Sequence, residues 1–408
     1  MKERKILHVD VNNAFLSWTA VHMLKNGHPV DIRTIPAIIG GDEERRSGIV
    51  LAKSPIAKKF GVVTGEPIYF ARKKCNRLET YPANFEVFKK YSNDLYKIFL
   101  DYTDQIERFS IDECFLDMTD YLNGRKLIDV AIEINKRVEK ELGFTVNVGV
   151  SSNKLLAKMA SDFEKPNKVH TLYEYEIEDK MHPLPVSELF MIGKKTVPKL
   201  FNLGIKTIGD LANADRNFII KKFGKMGVMM HDYANGIDNS PVNNKEEKPK
   251  SIGNSVTLPK DIYGEEEIYK VVLALTEQVA YRLRLHDLVA STVNIQLRNK
   301  DFKDISHQKP LKFTTSSTRE IASTAKELLH EMYNPKEGIR LVGVRVDNLE
   351  DKDEIQLSIF SDNSKQDKID NVLDDLKKKF GYTSVTRAGE MEVKNIVKGK
   401  EKKIKAPN

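Results

Sequence analysis

The stretch Phe109-Ser110-Ile111-Asp112-Glu113-Cys114-Phe115-Leu116-Asp117 places two adjacent carboxylates inside a run that is otherwise typical of buried β-structure. A buried carboxylate is costly unless a positive charge meets it. A divalent metal ion would meet that need. Asp10, at the end of the apolar run Ile6-Leu7-His8-Val9, offers a third acid of the same kind. Three acids at strand ends therefore predict a Mg²⁺ site.

The composition indicates a multidomain globular protein. With 408 residues the chain is long enough for roughly two to four domains. No apolar stretch approaches the ~20 residues that a membrane span needs, and the first residues predict a strand rather than a secretory signal. Only Cys75 and Cys114 occur, so disulfides are not expected and a cytoplasmic location is favoured.

Positive charge concentrates at the end of the chain. The net charge is +7, and residues 364–408 contain twelve Lys or Arg against seven Asp or Glu. Such a segment is compatible with a solvated, partly disordered tail and equally with a DNA-contacting role.

The first 175 residues or so alternate predicted strands and helices. Strands are expected at Ile6 to Val11, around Ile106 to Met118 and at Thr145 to Val150. Helices are expected near Ala14 to Asn26 and from Ile128 to Leu142, where apolar residues recur every three or four positions. This order predicts an α/β unit built around the acidic strands.

Beyond Val186 the pattern changes twice. Short helices with glycine turns are expected first, followed by a polar linker around residues 240–249 that contains two prolines. Six elements then follow in the order βαββαβ, the ferredoxin-like split arrangement. They are Ser251 to Thr257, Glu265 to His286, Ser291 to Arg298, Leu311 to Thr315, Thr318 to Tyr333 and Arg340 to Val346. Ser317 and Glu320 predict a capping box for the second helix.

The three acids have two interpretations on chemical grounds. Metal-assisted phosphoryl transfer needs two Mg²⁺ ions roughly 3.5–4 Å apart and carboxylates that hold them. Asp10, Asp112 and Glu113 satisfy this need if the first strand lies beside a hairpin that turns near Asp112. Two exposed turn carboxylates and an unrelated strand-end Asp would explain the same residues.

Three segments together resemble the Y-family DNA polymerases, the DinB and UmuC type that copies past damaged bases. They are Asp10 to Phe15, Ser110 to Asp117, and Asn147 to Ser161 with its continuation Lys165-Pro166-Asn167. Their order and spacing are similar to the family along residues 1 to about 350.

The resemblance implies an α+β multidomain fold, a right-hand polymerase with palm, fingers, helical thumb and a βαββαβ little finger. It also implies a tail with a clamp-binding motif. The expected ranges are 1–32 and 78–175 for the palm, 33–77 for the fingers, 176–240 for the helix-hairpin-helix thumb, 241–250 for a linker, 251–350 for the little finger and 351–408 for the tail.

The resemblance also implies the metal ligands. Asp10 and Asp112 would bridge two Mg²⁺ ions, and Glu113 would hold the ion that activates the primer 3′-hydroxyl. The carbonyl of Val11 would hold the ion that accompanies the nucleotide.

Two further positions match residues that contact the nucleotide in this family. Phe15 occupies the steric-gate position, where its ring would collide with a ribose 2′-hydroxyl, so deoxynucleoside triphosphates are expected; simple core packing is the alternative. Lys165 matches the triphosphate-binding lysine, and a loop charge is the alternative.

The fingers segment departs from the commonest pattern. It contains Pro55 where many relatives have a Tyr, and Lys58 where they have an Arg. Lysine neutralises phosphate but cannot form the bidentate fork of arginine. This segment and Asn12 resemble the UmuC-like branch more than DinB, so that branch is favoured.

Two motifs imply contacts beyond the active site. Ile192, Gly193, Lys194 and Lys195 resemble the thumb turn whose backbone N–H groups bind a DNA phosphate, although Met191 replaces a usual glycine. Gln356-Leu357-Ser358-Ile359-Phe360 resembles the pentapeptide that binds the bacterial sliding clamp. An ordinary edge strand is the alternative for the latter.

The leading hypothesis is thus an error-prone translesion DNA polymerase that binds primer-template DNA and uses Mg²⁺. It is expected to act as a monomer and not to associate with a membrane. The runner-up is a catalytically weak or inactive DNA- and clamp-binding repair accessory protein. A palm-domain nucleotide cyclase would leave the thumb, the little finger and the clamp motif unexplained.

Overall fold

The computed structural model describes residues 3–41, 46, 48–245, 248–352, 364–387, 389 and 393, with 364–367 described by their backbone alone. The chain divides into two compact units, Met1–Gly41 with Ile49–Glu246, and Asp42–Gly48 with Glu247–Asn408. Within the described ranges, no helix is both long enough and apolar enough to cross a bilayer. The clamp-like pentapeptide, residues 356–360, lies outside the described residues.

The first unit contains the elements β1 to β8 and α1 to α10. Its strands are β1 Ile6–Val11, β2 Ala37–Gly40, β3 Val50–Lys53, β4 Glu79–Pro82, β5 Ile106–Arg108, β6 Glu113–Asp117, β7 Val146–Ser151 and β8 Val169–Thr171. Its α-helices are α1 Ala14–Lys25, α2 Pro55–Lys59, α3 Ile68–Lys74, α4 Phe85–Leu100, α5 Leu127–Leu142, α6 Lys154–Ser161, α7 Val197–Phe201, α8 Ile208–Ala212, α9 Arg216–Phe223 and α10 Lys225–Ala234.

The predicted α/β region forms a five-stranded sheet with the order β5-β6-β1-β7-β8. β1 pairs antiparallel with β6 on one side and with β7 on the other. Side chains of a strand alternate between the two faces of the sheet. Leu7, Val9 and Val11 therefore belong to the core built with α1, α4 and α5, whereas Ile6 packs with Ala157 of α6 on the opposite face.

Two smaller assemblies complete the first unit. The sheet β3-β2-β4 packs against α2 and α3 around a separate core that includes Ile38, Ala57 and Ile68. The region after Val186 is helical, as the sequence indicates, and it packs in a core that it shares with Leu155, Leu156 and Met159 of α6. Thr207 and Asp210 form the capping box at the start of α8, with Asp in the place of the usual Glu or Gln.

The second unit has the predicted βαββαβ order followed by one more helix. Its elements are β9 Ser251–Ile262, α11 Glu265–Leu285, β10 Leu288–Asn299, β11 Asp304–Thr315, α12 Thr318–Met332, β12 Ile339–Asp351 and α13 Ser364–Phe380. The sheet has the antiparallel order β11-β10-β12-β9. Both helices α11 and α12 contribute to its core.

The start of α12 differs from the predicted capping box. Ser317 is the N-cap residue, but its side chain makes no capping hydrogen bond. The backbone N–H of Thr318 is bound instead by the carboxylate of Asp370 at 3.2 Å. A distant acid thus takes over the role that local spacing assigns to Ser317.

Asp370 belongs to α13, which the sequence does not predict as an ordered element. α13 buries charged side chains rather than an apolar stripe: Asp370, Asp374 and Lys377 are all buried. Arg284 of α11 forms two hydrogen bonds with the Asp374 carboxylate, at 2.6 and 3.0 Å. A polar composition therefore does not leave this part of the tail unfolded.

Candidate active site

The three acids come together at one end of the five-stranded sheet. Asp10 is the direct register partner of Glu113 across β1 and β6. The next N–H along β1, that of Val11, donates to the carbonyl of Asp112 at 3.0 Å. The chain turns just before β6, where Phe109 N–H donates to the carbonyl of Glu113. The first strand thus lies beside a hairpin that turns near Asp112, the arrangement on which the metal-site hypothesis depends.

Glu113 is the acid with the strongest electrostatic stabilisation. Its Oε2 lies 3.2 Å from Nζ of Lys158 and 3.3 Å from Nε2 of His8, and both partners are buried. Burial opposes ionisation of Glu113, but His8 and Lys158 outweigh it and lower its pKa to about 2. Glu113 is therefore a carboxylate at neutral pH.

His8 stands on the same face of β1 as Asp10, two residues away. Burial lowers the pKa of His8 to about 4, so the ring is neutral at physiological pH. Its Nδ1 lies 2.8 Å from Oγ of Ser161 on α6, and its ring packs 4.5 Å from Phe115. His8 thus fills the space between the acidic strands and α6.

Asp10 is bound by a lysine from the loop after α6. Lys165 forms an ion pair with Asp10, and its Nζ lies 2.8 Å from Oδ1 of Asp162. Burial raises the pKa of Asp10 above its usual value, although Lys165 opposes that effect. The side chain of Asp112 instead accepts a hydrogen bond from Ser110 Oγ at 2.6 Å.

The donor set fits a hard divalent cation better than a soft one. The carboxylates of Asp10, Asp112 and Glu113, brought together by the pairing of β1 with β6, offer the oxygen ligands that such a cation prefers. In the described part of the chain, no group of three or more His, Cys, Asp or Glu is arranged to hold a metal ion. Lys165 occupies the Asp10 carboxylate, so binding of Mg²⁺ by Asp10 requires this lysine side chain to move.

An asparagine network fixes the loop that carries Lys165. The side chain of Asn12 donates to Asn147 Oδ1 at 3.0 Å and accepts from the backbone N–H of Asn167 at 2.9 Å. Asn147 in turn donates to the carbonyls of Ser161 and Glu164. In the sequence, Asn12 indicated only the UmuC-like branch. In the structure, its side chain also positions the loop that carries Lys165.

The segment that follows Asn147 requires a glycine at position 149. A Cβ atom on Gly149 would lie 1.8 Å from the carbonyl oxygen of Ala157. Only glycine allows α6 to approach β7 this closely. That approach brings Lys158 of α6 within reach of Glu113 across the sheet face.

Phe15 lies in the first turn of α1 and is partly buried. Its ring stacks on Phe88 with centroids 4.6 Å apart and 15° between the planes, and Trp18 and Phe85 border it. The ring is therefore held in a fixed orientation by core packing while part of it remains accessible. Core packing and a gate function are compatible at this position.

Pro55 and Lys58, which the sequence predicts to lie in the fingers, lie at the start and near the end of the short helix α2. Pro55 occupies its first turn, and the preceding Ser54 accepts a hydrogen bond from Ala57 N–H at 3.0 Å. Lys58 is exposed in the last turn. The pKa of Lys53 is lowered by burial and by the positive charge of Lys58. Two lysines in this segment favour an anionic ligand.

The turn that is predicted to bind a DNA phosphate forms although Met191 replaces the usual glycine. Met191 itself adopts the left-handed conformation with φ 72°, the backbone shape that glycine accepts most readily. Ile192 is buried, whereas Gly193, Lys194 and Lys195 are exposed. The turn is thus formed without a glycine at position 191, and its two lysines face solvent.

The chain matches two family descriptions. Residues 9–162 match the impB/mucB/samB family, and residues 249–359 match the impB/mucB/samB family C-terminal domain. Asp10, Asp112 and Glu113 lie within the first range, and the βαββαβ region lies within the second.

Curated relatives match over nearly the whole chain. "DNA polymerase IV" of Clostridium acetobutylicum is 46% identical, with 94% of this chain and 97% of the relative covered. "DNA polymerase IV" of Acetivibrio thermocellus is 40% identical with the same coverage. "DNA polymerase IV 1" of Bacillus subtilis is 35% identical, with 95% and 93% covered. These names do not support the UmuC-like branch that the sequence favoured.

A solved structure gives the same assignment. The "Y-family DNA polymerase chimera Dbh-Dpo4(243-245)-Dbh" aligns with a TM-score of 0.75 at 25% identity and covers 85% of this chain and 99% of its own. The α+β multidomain fold expected from the sequence is therefore confirmed. From its family matches, its relatives and its fold, this chain belongs to the impB/mucB/samB family of Y-family DNA polymerases.

Proposed function

We propose that this chain is a translesion DNA polymerase that extends a primer on damaged template by two-metal nucleotidyl transfer, error-prone in the manner of its family. The observation that supports the proposal most directly is the register of Asp10 with Glu113, with Asp112 joined to Val11 by a backbone hydrogen bond. In this proposal Asp10, Asp112, Glu113 and the carbonyl of Val11 hold two Mg²⁺ ions. Bound there, the ions would activate the primer 3′-hydroxyl and neutralise the triphosphate.

Two lysines supply positive charge beside the acids of the site. Lys158 and Lys165 now neutralise Glu113 and Asp10, and both carry a charge that a triphosphate attracts. Lys165 is the more accessible of the two and sits on a loop fixed by the asparagine network. We infer that Lys165 exchanges Asp10 for the triphosphate when the nucleotide binds, whereas the buried Lys158 continues to orient Glu113.

The nucleotide contacts divide between the gate and the fingers. Phe15, fixed by Phe88, excludes a ribose 2′-hydroxyl, which makes deoxynucleoside triphosphates the substrates. Lys58 and Lys53 supply charge to the triphosphate but no bidentate fork. The exposed turn at Ile192, Gly193, Lys194 and Lys195 binds a phosphate of the primer-template duplex.

Primer extension tests the catalytic assignment. The native chain with Mg²⁺ and a primed template is expected to add nucleotides, and Asp112→Ala is expected to lose at least a hundredfold of that activity, since catalysis of this kind depends on electrostatic stabilisation. Glu178→Ala, which removes an exposed acid of the same unit, is the matched control. No synthesis by the native chain would favour the alternative of a catalytically weak or inactive accessory protein.

The gate is tested separately. Phe15→Ala should raise ribonucleotide incorporation relative to deoxynucleotide incorporation, measured on the same template. Unchanged sugar selectivity would remove Phe15 from this role.

We further propose that Gln356-Leu357-Ser358-Ile359-Phe360 binds the bacterial sliding clamp and that the polymerase acts as a cytoplasmic monomer. Tethering to a clamp raises the local concentration of the polymerase at the primer end without new catalytic contacts. Purified clamp should bind the native chain and not the variant in which Leu357 and Phe360 are both alanine. Equal binding of the two chains would contradict the proposal. Sedimentation of the chain alone checks the monomeric state.

A further inference from the structure

The helices α2 and α3, with the residue that ends α2, carry three exposed aromatic rings. Phe60, Tyr69 and Phe70 are each more than half exposed. Tyr69 and Phe70 lie edge to face with ring centroids 5.6 Å apart, and Nζ of Lys73 lies 4.6 Å from the centre of the Tyr69 ring. Large exposed rings on one small assembly are unusual for a surface without a partner.

The rings share one rigid support. Ile68 and Ala71 of α3 pack with Ala57 of α2 in a common core. Nζ of Lys74, the last residue of α3, donates to the carbonyl of Gly61 just beyond α2 at 2.9 Å. The two helices are therefore held in one small assembly, and we call their exposed residues, together with Phe60 at the end of α2, the α2–α3 surface.

The α2–α3 surface is strongly basic. Residues 50–75 contain six Lys or Arg and a single acid, Glu66. Glu66 is already engaged by Lys74 at 2.6 Å. Lys58, Lys59 and Lys73 are all exposed, and Lys73 lies over the Tyr69 ring. A polyanion is the complementary partner.

The combination of rings and lysines indicates whether the partner is a protein or a nucleic acid. The centres of protein–protein interfaces are depleted in lysine. Sites for single-stranded nucleic acid instead combine cationic side chains with exposed rings on which bases stack. A base in a duplex has no accessible face for such stacking, so the occupant must be unpaired.

We propose that the α2–α3 surface binds the unpaired template strand ahead of the nascent base pair, with bases stacked on Tyr69 and Phe70 and phosphates near Lys59 and Lys73. The inference rests on the proposed polymerase function, which places the incoming nucleotide at Lys58 of the same helix α2. The strand that continues past that nucleotide, away from the duplex, is the unpaired template.

Equilibrium binding tests the proposal without synthesis. Fluorescence anisotropy is measured in EDTA and without nucleotide on two DNAs that share the same duplex. The first DNA ends flush, and in the second the template strand continues into twelve unpaired thymidines. The native chain should bind the extended DNA about tenfold more tightly, equivalent to about 1.4 kcal/mol, a lower-range value for base–aromatic stacking. The double variant Tyr69→Ala with Phe70→Ala should lose most of this gain.

Two variants control for the removal of exposed rings and for folding. Tyr175→Ala removes a ring that is 81% exposed but stacks on Tyr173, and it should keep the gain. Tyr69→Trp with Phe70→Trp retains stacking faces and should also keep it. The gain should persist in Asp112→Ala, so that failure of catalysis and failure of template binding are distinguishable.

Three outcomes would overturn the proposal. The first is equal affinity of the native chain for flush and extended DNA. The second is an unchanged gain in the alanine double variant, as expected for a protein-docking surface. The third is an equal loss of affinity for both DNAs in the alanine double variant while the tryptophan double variant keeps its affinity, which would show that the rings contact the duplex instead of the unpaired strand.

Discussion

Replacing Glu277 by leucine tests whether buried charges hold α13 against α11. Glu277 is 3% exposed and accepts from Nζ of Lys377 at 2.5 Å and from Nε of Arg387 at 2.8 Å. Its removal leaves the equally buried Lys377 without this carboxylate. Breaking a buried ion pair costs about 3–5 kcal/mol, because one charge loses both water and partner.

The expected size of the effect can be measured in two ways. For a unit of this size, about 3 kcal/mol corresponds to a fall in the midpoint of thermal unfolding of roughly 6–12 °C. Amide hydrogen exchange in residues 368–380 should accelerate more than exchange in β10 and β12, since α13 depends on the lost carboxylate directly. The double variant Glu277→Leu with Lys377→Leu should recover part of the loss, because it leaves no buried ammonium behind.

The pH dependence provides a second check on the same residue. Burial opposes ionisation of Glu277, but Lys377 and Arg387 outweigh it and lower its pKa below the usual 4.5. A lowered carboxyl pKa stabilises the folded state above the unfolded value and loses that effect as the pH falls through the folded value. The stability difference between native chain and Glu277→Leu should therefore be full near pH 7 and shrink below about pH 4.5.

A surface pair supplies the matched control. Arg345 and Asp347 form an ion pair at 3.0 Å in which the arginine is 51% exposed, and Asp347→Ala should cost less than about 1 kcal/mol. Equal losses from Glu277→Leu and Asp347→Ala would refute the argument. So would a double variant less stable than Glu277→Leu alone.

Three further changes follow from the active-site geometry. Gly149→Ala should lower stability and polymerase activity together, because the new Cβ would overlap the Ala157 carbonyl; a fully active, equally stable variant by thermal unfolding and primer extension would contradict this. Phe88→Leu should loosen Phe15 and raise ribonucleotide incorporation less than Phe15→Ala does, as single-nucleotide kinetics can measure. Lys165→Met should raise the KM for deoxynucleotides severalfold, whereas an unchanged KM in steady-state kinetics would place the triphosphate elsewhere.

The acidic strands and the βαββαβ order could be predicted because both follow local patterns. An apolar run that ends in Asp10 and a second run interrupted at Glu113 each predict a strand. The resemblance to a family then indicated that the strands lie together. Neither run by itself indicates that the two strands pair antiparallel or in which register they do so.

Other parts of the site lack a local signal. Lys158 lies in a helix where a lysine ordinarily faces solvent, and only the approach of α6 at Gly149 turns it towards Glu113. His8 shares the face of Asp10, so strand alternation could have identified it as a neighbour. Its contact with Ser161 depends on tertiary packing.

α13 was missed for a different reason. Pattern analysis looks for an apolar stripe, and this helix buries Asp370, Asp374 and Lys377 instead. Their partners Glu277 and Arg284 lie about ninety to a hundred residues earlier in the chain. The sequence of a helix that is stabilised by distant charges therefore resembles the sequence of a solvated tail.

The side chain of Asn13 donates to the backbone carbonyl of Lys53 at 2.7 Å, and Asn13 adopts the left-handed conformation with φ 51°. This bond joins the residue that precedes α1, and hence Phe15, to the last residue of β3, from which α2 and Lys58 follow. If Lys58 binds the triphosphate as proposed, a shift of α2 on binding would be transmitted through this bond to the start of α1. Thermodynamic coupling of this kind is reciprocal. With Phe15 in its proposed role, discrimination of the sugar and affinity for the phosphates would then be linked, and a change selected for one would alter the other.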